Sequence, residues 1–366
     1  MNRWVAHLLL IDCAVLMLGL SYADAQEPRL PAMTPIRAVW VHPGTFGSDQ
    51  SVATPKIQST LDDYVKAGIN TVMVLVKGTS GHVYYQSSIG VRDPAYSWDF
   101  FGVFFDEAAR RGIVVHPWFC VFTEGAIVGR VREHPEWLIR SRKSELVPVV
   151  NPALPDVRQY EISLMKELVD NYRVGWIHLD YIRYPCEPTE DYFSFDAQTR
   201  AAFKEHTGKD VATLRSMDSG NILWNEWIEW NGEQVTRFLR ELRQALSETR
   251  RQVHLSVAVF PDADNARALI GQDWERWAQD GLLEMLCPML YTDDHRLFEK
   301  YLRKAVTIAR GRCLLAAGVG IVSADQQNTP EEMLRQMNLA RDLGADGTVL
   351  FSSGSLTERF LKAVRP

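Results

Sequence analysis

From Arg37 onward, short apolar runs alternate with longer stretches whose apolar residues recur every three or four positions. Continuous apolar runs suit strands buried on both faces, and the longer period suits helices with one buried side. The runs predict strands over residues 37–43, 69–77, 113–122, 174–184, 253–261, 283–291, 313–321 and 347–352. Between them the pattern predicts helices over 55–67, 101–111, 156–172, 224–250, 273–280, 295–310 and 331–343, with 358–364 closing the chain. The joints agree. Gly68 and Gly112 each follow a predicted helix end, where the left-handed cap conformation favours glycine. Thr54-Pro55 and Thr329-Pro330 read as an N-cap followed by proline at the first helical position.

Eight strand–helix units in succession predict an α/β fold, a closed (β/α)8 TIM barrel. A doubly wound nucleotide-binding sheet needs a glycine-rich turn after its first strand, and the sequence HPGTF (42–46) is no such turn. Three βα-loops are long: 78–100 after the second strand, 123–155 after the third, and 186–223 after the fourth, the last with a short helix near 196–206. Barrel enzymes build their sites from βα-loops at the C-terminal face, so the sector around strands two to four is the expected site.

The composition changes this picture little. The chain has 366 residues, 46% hydrophobic and 23% charged, enough for one barrel with insertions. A net charge of −6 leaves no basic footprint for nucleic acid. The N-terminus reads as something apart from the barrel. Arg3 precedes an apolar stretch over 5–20, and Ala23-Asp24-Ala25 is a small-x-small cleavage signal. Residues 1–25 are therefore expected to be a secretory signal peptide, leaving residues 26–366 as one catalytic domain, periplasmic or secreted and not held in the membrane. Four cysteines follow: Cys120, Cys186, Cys287 and Cys313. Buried thiols are the expected state, and Cys120 with Cys186 is the one candidate pair for a disulfide. Their spacing fits no zinc motif, and neither a metal nor another cofactor is expected.

The most informative segment is VGWIHLDYIRYP (174–185). Side chains alternate along a strand, so Trp176, His178 and Asp180 share one face, and with that face inward Asp180 reaches the barrel mouth. A carboxylate there is costly unless paired or functional, and Arg183 is near enough in sequence to pair with it. Cleaving a glycosidic bond usually takes two carboxyl groups. Asp180 is the first candidate. Asp262 and Asp293, at the ends of the fifth and sixth strands, rank highest as partner, ahead of Glu124, Asp264 and Asp294. His42, Lys77, His116, His178, Arg183, Tyr184 and Tyr291 fall where they can shape a pocket, as does Glu124. Among eleven tryptophans, Trp40, Trp118 and Trp137 are placed to stack on sugar rings. Trp224, Trp227 and Trp230 trace one helical side and read as core packing, as do Trp274 and Trp277.

NPALPDVRQY (151–160), a helix, and then IHLDYIRYP (177–185) resemble the glycosyl-hydrolase-like family ten barrels. RAVW (37–40), DEAARRGIVVHPWF (106–119) and HPEW (134–137) resemble that family's first strand, its second helix with third strand, and a loop element. The similarity runs from about Arg37 to Tyr291. It implies a bacterial envelope hydrolase, and some members cut peptidoglycan glycan strands that have lost their peptides. Many members carry two consecutive acids at the fourth strand, where this chain has Asp180-Tyr181. The expected function is hydrolysis of O-glycosidic bonds in a polysaccharide. The alternative is a barrel that binds polysaccharide without turnover. A deacetylase would need a metal site, and no Gly-x-Ser-x-Gly elbow supports serine chemistry.

Overall fold

Eight parallel strands close into a barrel in which every neighbour in space is a neighbour in sequence: β1 (Ile36–Val41), β2 (Thr71–Lys77), β3 (Val114–Cys120), β4 (Trp176–Asp180), β5 (His254–Val259), β6 (Met285–Pro288), β7 (Leu314–Gly320) and β8 (Gly347–Phe351). The computed structural model describes residues 34–185, 193–214, 220–323 and 326–365. The candidate signal peptide and Cys186 lie outside the described residues. Around the barrel run α1 (Gln50–Lys66), α2 (Phe100–Arg110), α3 (Pro155–Asn171), α4 (Ala197–Thr207), α5 (Ile222–Ser247), α6 (Ala263–Ile270), α7 (Trp274–Gln279), α8 (His295–Ala309), α9 (Pro330–Asp342) and α10 (Glu358–Ala363). No helix among the described residues is long and apolar enough to cross a membrane.

Two cores follow from this geometry. β2 is buried at all seven positions, because one face meets the helices and the other the barrel interior. Val72, Val74 and Val76 join the large outer cluster, while Met73 and Leu75 join a smaller inner one with Trp40, Trp118, Ala258, Cys287 and Val349. Gly68 and Gly112 take φ values of 72° and 70°, the left-handed caps expected after α1 and α2. Thr329 caps α9 as expected, accepting from Glu332 N at 3.2 Å ahead of Pro330.

Two local expectations are corrected. α1 begins at Gln50, because Asp49 accepts from Ser51 N at 2.8 Å and is the cap, so Pro55 falls inside the helix. The short helix α6 is absent from the sequence reading. Asp262 caps it and Gly271, at φ 71°, ends it. The loop between β3 and α3 carries a short helix, Gly129–Glu133, and a two-stranded antiparallel ribbon of Leu138–Arg140 with Leu146–Val150.

Candidate functional site

A cleft of about 600 Å³ opens at the C-terminal ends of the strands. β1 contributes Trp40 and the following His42, β3 Trp118 and Cys120, β4 Asp180 and β8 Phe351. Tyr291, beyond β6, and Tyr84, Asp93, Tyr181 and Arg183 complete the wall with residues 78–80. Six of the residues singled out from sequence are thus brought together: Trp40, His42, Trp118, Asp180, Arg183 and Tyr291. Aromatic rings form much of the cleft wall. His42 meets Trp118 edge-on at 4.9 Å, and Tyr291 stacks on Phe351 at 5.1 Å. Burial lowers the His42 pKa against the opposing pull of Asp180, which favours a neutral imidazole in the wall.

Asp180 ends β4 and is 5% exposed. Its backbone carbonyl accepts from Val121 N at 2.8 Å, and this bond holds it level with Cys120 of β3. Its Oδ1 accepts from Tyr181 N at 2.6 Å and from Arg183 Nη1 at 2.9 Å. Tyr181 takes φ 50°, a left-handed turn that stops the strand at Asp180 and lets Arg183 reach back. The Arg183 guanidinium lies 4.1 Å from the Tyr181 ring centroid and 4.9 Å from that of Phe260, so it is packed as well as paired.

The second carboxylate lining this cleft is Asp93, from the loop between β2 and α2. Its amide donates to Val83 O at 3.0 Å, Ala95 N donates to its Oδ1 at 2.9 Å, and the Tyr84 phenol hydrogen-bonds its side chain. This loop is expected from sequence to border the site, but Asp93 itself is not singled out there, because an isolated loop aspartate carries no pattern. Neither Asp262 nor Asp293 lines the cleft. Asp262 is used as the α6 cap, accepting from Asn265 N at 3.1 Å, and Asp293 is exposed beside Asp294, which caps α8. Asp264 is exposed in the first turn of α6.

Lys77 and Glu124 are corrected from substrate contacts to buried structure. Alternation from Leu75 places Lys77 inside the barrel, but the register between β2 and β3 shifts between Leu75 and Lys77, so Lys77 turns toward α3. There its Nζ lies 2.8 Å from Glu124 Oε1 and 3.1 Å from Glu161 Oε1, all three side chains fully enclosed. It also donates to the carbonyls of Cys120 at 3.2 Å and Val121 at 2.7 Å. Burial alone disfavours the ammonium, but the two carboxyl groups outweigh it and hold the Lys77 pKa above the usual range. Burial pushes Glu161 up to about 8, against the pull of Lys77.

That shift has a measurable consequence. In the unfolded chain Glu161 titrates near the ordinary glutamate value of about 4.3. Between there and about 8 the folded protein keeps a proton that the unfolded chain has lost, so stability falls as pH rises through this window. Glu161→Gln is expected to flatten this part of the profile, by at most about 1.4 kcal/mol per pH unit. Urea unfolding of both proteins from acid to mildly alkaline pH measures it, and parallel profiles would contradict the assignment.

His116 and His178 also leave the substrate wall. They lie fully inside the barrel on either side of Ser256, whose Oγ is 2.9 Å from Nδ1 of each. Trp40 Nε1 donates to His178 Nε2 at 3.0 Å. That bond assigns the His178 proton to Nδ1, which donates to Ser256, and the Ser256 hydroxyl is then free to donate to His116 Nδ1. Burial lowers both pKa values, His116 to about 3, so both rings are neutral. The chain anchors the indole of Trp40 in the cleft. Tyr184 is likewise enclosed, and its hydroxyl donates to Asn231 Oδ1 at 2.9 Å. Trp137 is buried and stacks on His134 at 4.6 Å, away from the cleft lining. Cys120 and Cys287 are buried thiols and Cys313 is half-buried.

The model of the family described as glycosyl hydrolase-like 10 matches residues 35–323. The glycosyl hydrolase YngK of Bacillus subtilis is 22% identical over 309 residues, which cover 74% of this chain and 55% of that protein. The glycosyl hydrolase DigH of Escherichia coli K12 is 21% identical over 280 residues, covering 66% and 58%. The chain thus spans little more than half the length of these two relatives. Among solved structures, the PgaB (BpsB) glycoside hydrolase domain from Bordetella bronchiseptica superposes with a TM-score of 0.72 at 16% identity, covering 90% of this chain and 98% of that one. The GH42 β-galactosidase Gan42B of G. stearothermophilus shares the fold with a TM-score of 0.62 at 14% identity, covering 89% and 56%.

Proposed function

This chain belongs to the glycosyl hydrolase-like 10 family, and from that premise we propose that it hydrolyses O-glycosidic bonds of a cell-envelope or extracellular polysaccharide, with Asp180 as the catalytic carboxylate. One observation carries the reading: a nearly buried aspartate at the C-terminal end of a barrel strand lines an aromatic-walled cleft together with a second carboxylate, Asp93. Asp180 acts as nucleophile or base at the anomeric carbon, oriented by Arg183 and the Tyr181 amide. Asp93 acts as the acid that protonates the leaving oxygen. The half-buried Tyr291 ring offers an apolar face to a sugar ring, Trp40 and Trp118, 1% and 3% exposed, pack the wall around it, and His42 contributes a neutral hydrogen-bonding edge. Residues 1–25 direct export, which delivers the barrel to the compartment where such polymers lie.

The reading is tested by incubating the purified chain with peptide-free peptidoglycan strands and a panel of α- and β-linked polysaccharides, with products read by mass spectrometry. New reducing-end oligosaccharides from the parent and none from Asp180→Asn are expected. Glycan binding by both proteins without product from either would overturn hydrolysis in favour of a polysaccharide-binding barrel. The Arg183 ion pair, and Tyr181 where many members carry a second acid, favour that second reading.

A further inference from the structure

A second opening of about 470 Å³ lies outside the cleft, between the end of α4, the outer side of α5, and α6 with α7. That volume is within the range of small-ligand sites, about 300–1,000 Å³. Trp230 lines it. Sequence periodicity treats Trp227 and Trp230 together as packing, but only Trp227 is fully buried. Trp230 is half-buried, stacked on Trp227 with 8° between ring planes and 5.5 Å between centroids, and Phe203 meets it edge-on at 5.8 Å. One indole face is therefore used, and Trp230 presents what remains to the groove.

The surroundings of that indole are polar and interleaved in sign. Glu233 accepts from Arg240 and from Arg276, each at 2.8 Å, while exposed Glu229 and Arg267 stand on the rim. The floor includes Gly232, which has no side chain, and Thr236, whose hydroxyl accepts from Trp277 Nε1 at 2.9 Å. An aromatic plate ringed by carboxylate and guanidinium groups of both signs suits an uncharged, hydroxyl-rich ligand, and a field of mixed sign gives a charged polymer no advantage. Tyr184, next in the chain to the cleft residue Arg183, connects the cleft wall to α6, whose Arg267 lines the groove. Arg183 lies over Phe260, Tyr184 N donates to Ile270 O at 3.0 Å, and a Cβ on Gly271 would stand 3.2 Å from the Tyr184 ring and 3.3 Å from Gly232. Tyr184, four residues beyond Asp180, thus packs on the end of the helix that carries Arg267.

We propose that this groove is a second glycan-binding site that holds an uncharged stretch of the polysaccharide outside the cleft, with Trp230 as its stacking platform. The inference rests on the polysaccharide reading above. Holding the polymer at two points raises its effective concentration at the cleft without touching the chemistry, so long chains benefit and short ones do not.

The test uses the full chain carrying Asp180→Asn, which keeps binding separate from turnover, titrated with cellohexaose, chitohexaose and laminarihexaose by calorimetry. Adding Trp230→Ala is expected to weaken binding of at least one of these roughly 3–10-fold. Because Trp230 also packs on Trp227, the exposed pair Glu229→Ala/Arg267→Ala repeats the test without disturbing the helix. In the active parent background, the same changes are expected to slow cleavage of polymer and leave cleavage of short oligosaccharides unchanged. No binding of any hexasaccharide, or affinity lost with Trp118→Ala but unchanged in both groove variants, would overturn the proposal while leaving the hydrolase reading standing. Binding lost in the groove variants of a protein whose parent cleaves no glycan would support the groove and remove the hydrolase.

Discussion

Asp180→Asn is expected to lower glycan hydrolysis by about a thousandfold or more while the protein stays folded. A positioned acid or base accounts for about 10²–10⁴ in rate, and a nucleophile for at least as much. Asparagine has the same shape and keeps an oxygen for the Arg183 and Tyr181 donors, at 2.9 Å and 2.6 Å from the present Oδ1. What it loses is the negative charge and the lone pair that acts on the anomeric carbon or its water. Arg183 is 5% exposed and would lose its anionic partner, which costs stability, but the Tyr181 and Phe260 rings still flank its guanidinium. The signature is a collapse of kcat with a thermal midpoint within a few degrees of the parent and glycan affinity retained. Turnover within tenfold of the parent would remove Asp180 from the chemistry. A collapse of the melting transition would make the Asp180–Arg183 pair chiefly structural.

Lys77→Met is expected to cost about 3–5 kcal/mol, the largest stability effect we foresee outside the apolar core. Methionine fills much of the same volume, so the loss is one of charge and donors rather than packing. Glu124 would be left enclosed without its cation, and the Cys120 and Val121 carbonyls would each lose a donor. The damage reaches the cleft by a short path. Glu124 lies against the loop after β2 so closely that a Cβ on Gly81 would stand 1.9 Å from its Oε2. The same two loops are stitched by Gly125 N to Thr79 O at 2.8 Å and Ala126 N to Ser80 O at 3.0 Å, and Thr79 and Ser80 line the cleft. Urea unfolding measures the loss, and a raised KM is the expected companion. Adding Glu124→Gln removes the orphaned charge and should restore part of the stability. A double variant no more stable than Lys77→Met would mean that the lost carbonyl contacts, not the buried carboxylate, set the cost.

Barrel architecture was legible from period alone. Each of the eight barrel strands falls within or overlaps its expected range, because a strand buried on both faces must be an unbroken apolar run and the helices between must show one apolar side. The place of Asp180 was equally legible: alternation along a five-residue strand puts Trp176, His178 and Asp180 on one face, and the strand's direction puts the last of them at the mouth. The family was legible from several motifs between residues 37 and 185 in combination, and its model matches residues 35–323.

Tertiary structure decided which polar side chains face the cleft. A register shift of one residue in β2 took Lys77 out of the barrel and into a buried triad, and such a shift is set by how β2 and β3 pair, which neither strand encodes alone. Helix capping claimed Asp262, a local competition hidden until α6 is recognised as a helix. His116 and His178 share the inward face that sequence assigned them but sit a layer too deep, since depth in a barrel depends on the stagger between strands. Asp93 joined Asp180 only because a long loop folds back against the strand ends. Sequence therefore determined the scaffold and the place of Asp180 at a strand end, where periodicity is a property of neighbouring residues. The remaining wall depended on contacts between segments far apart in the chain, which have no period to read.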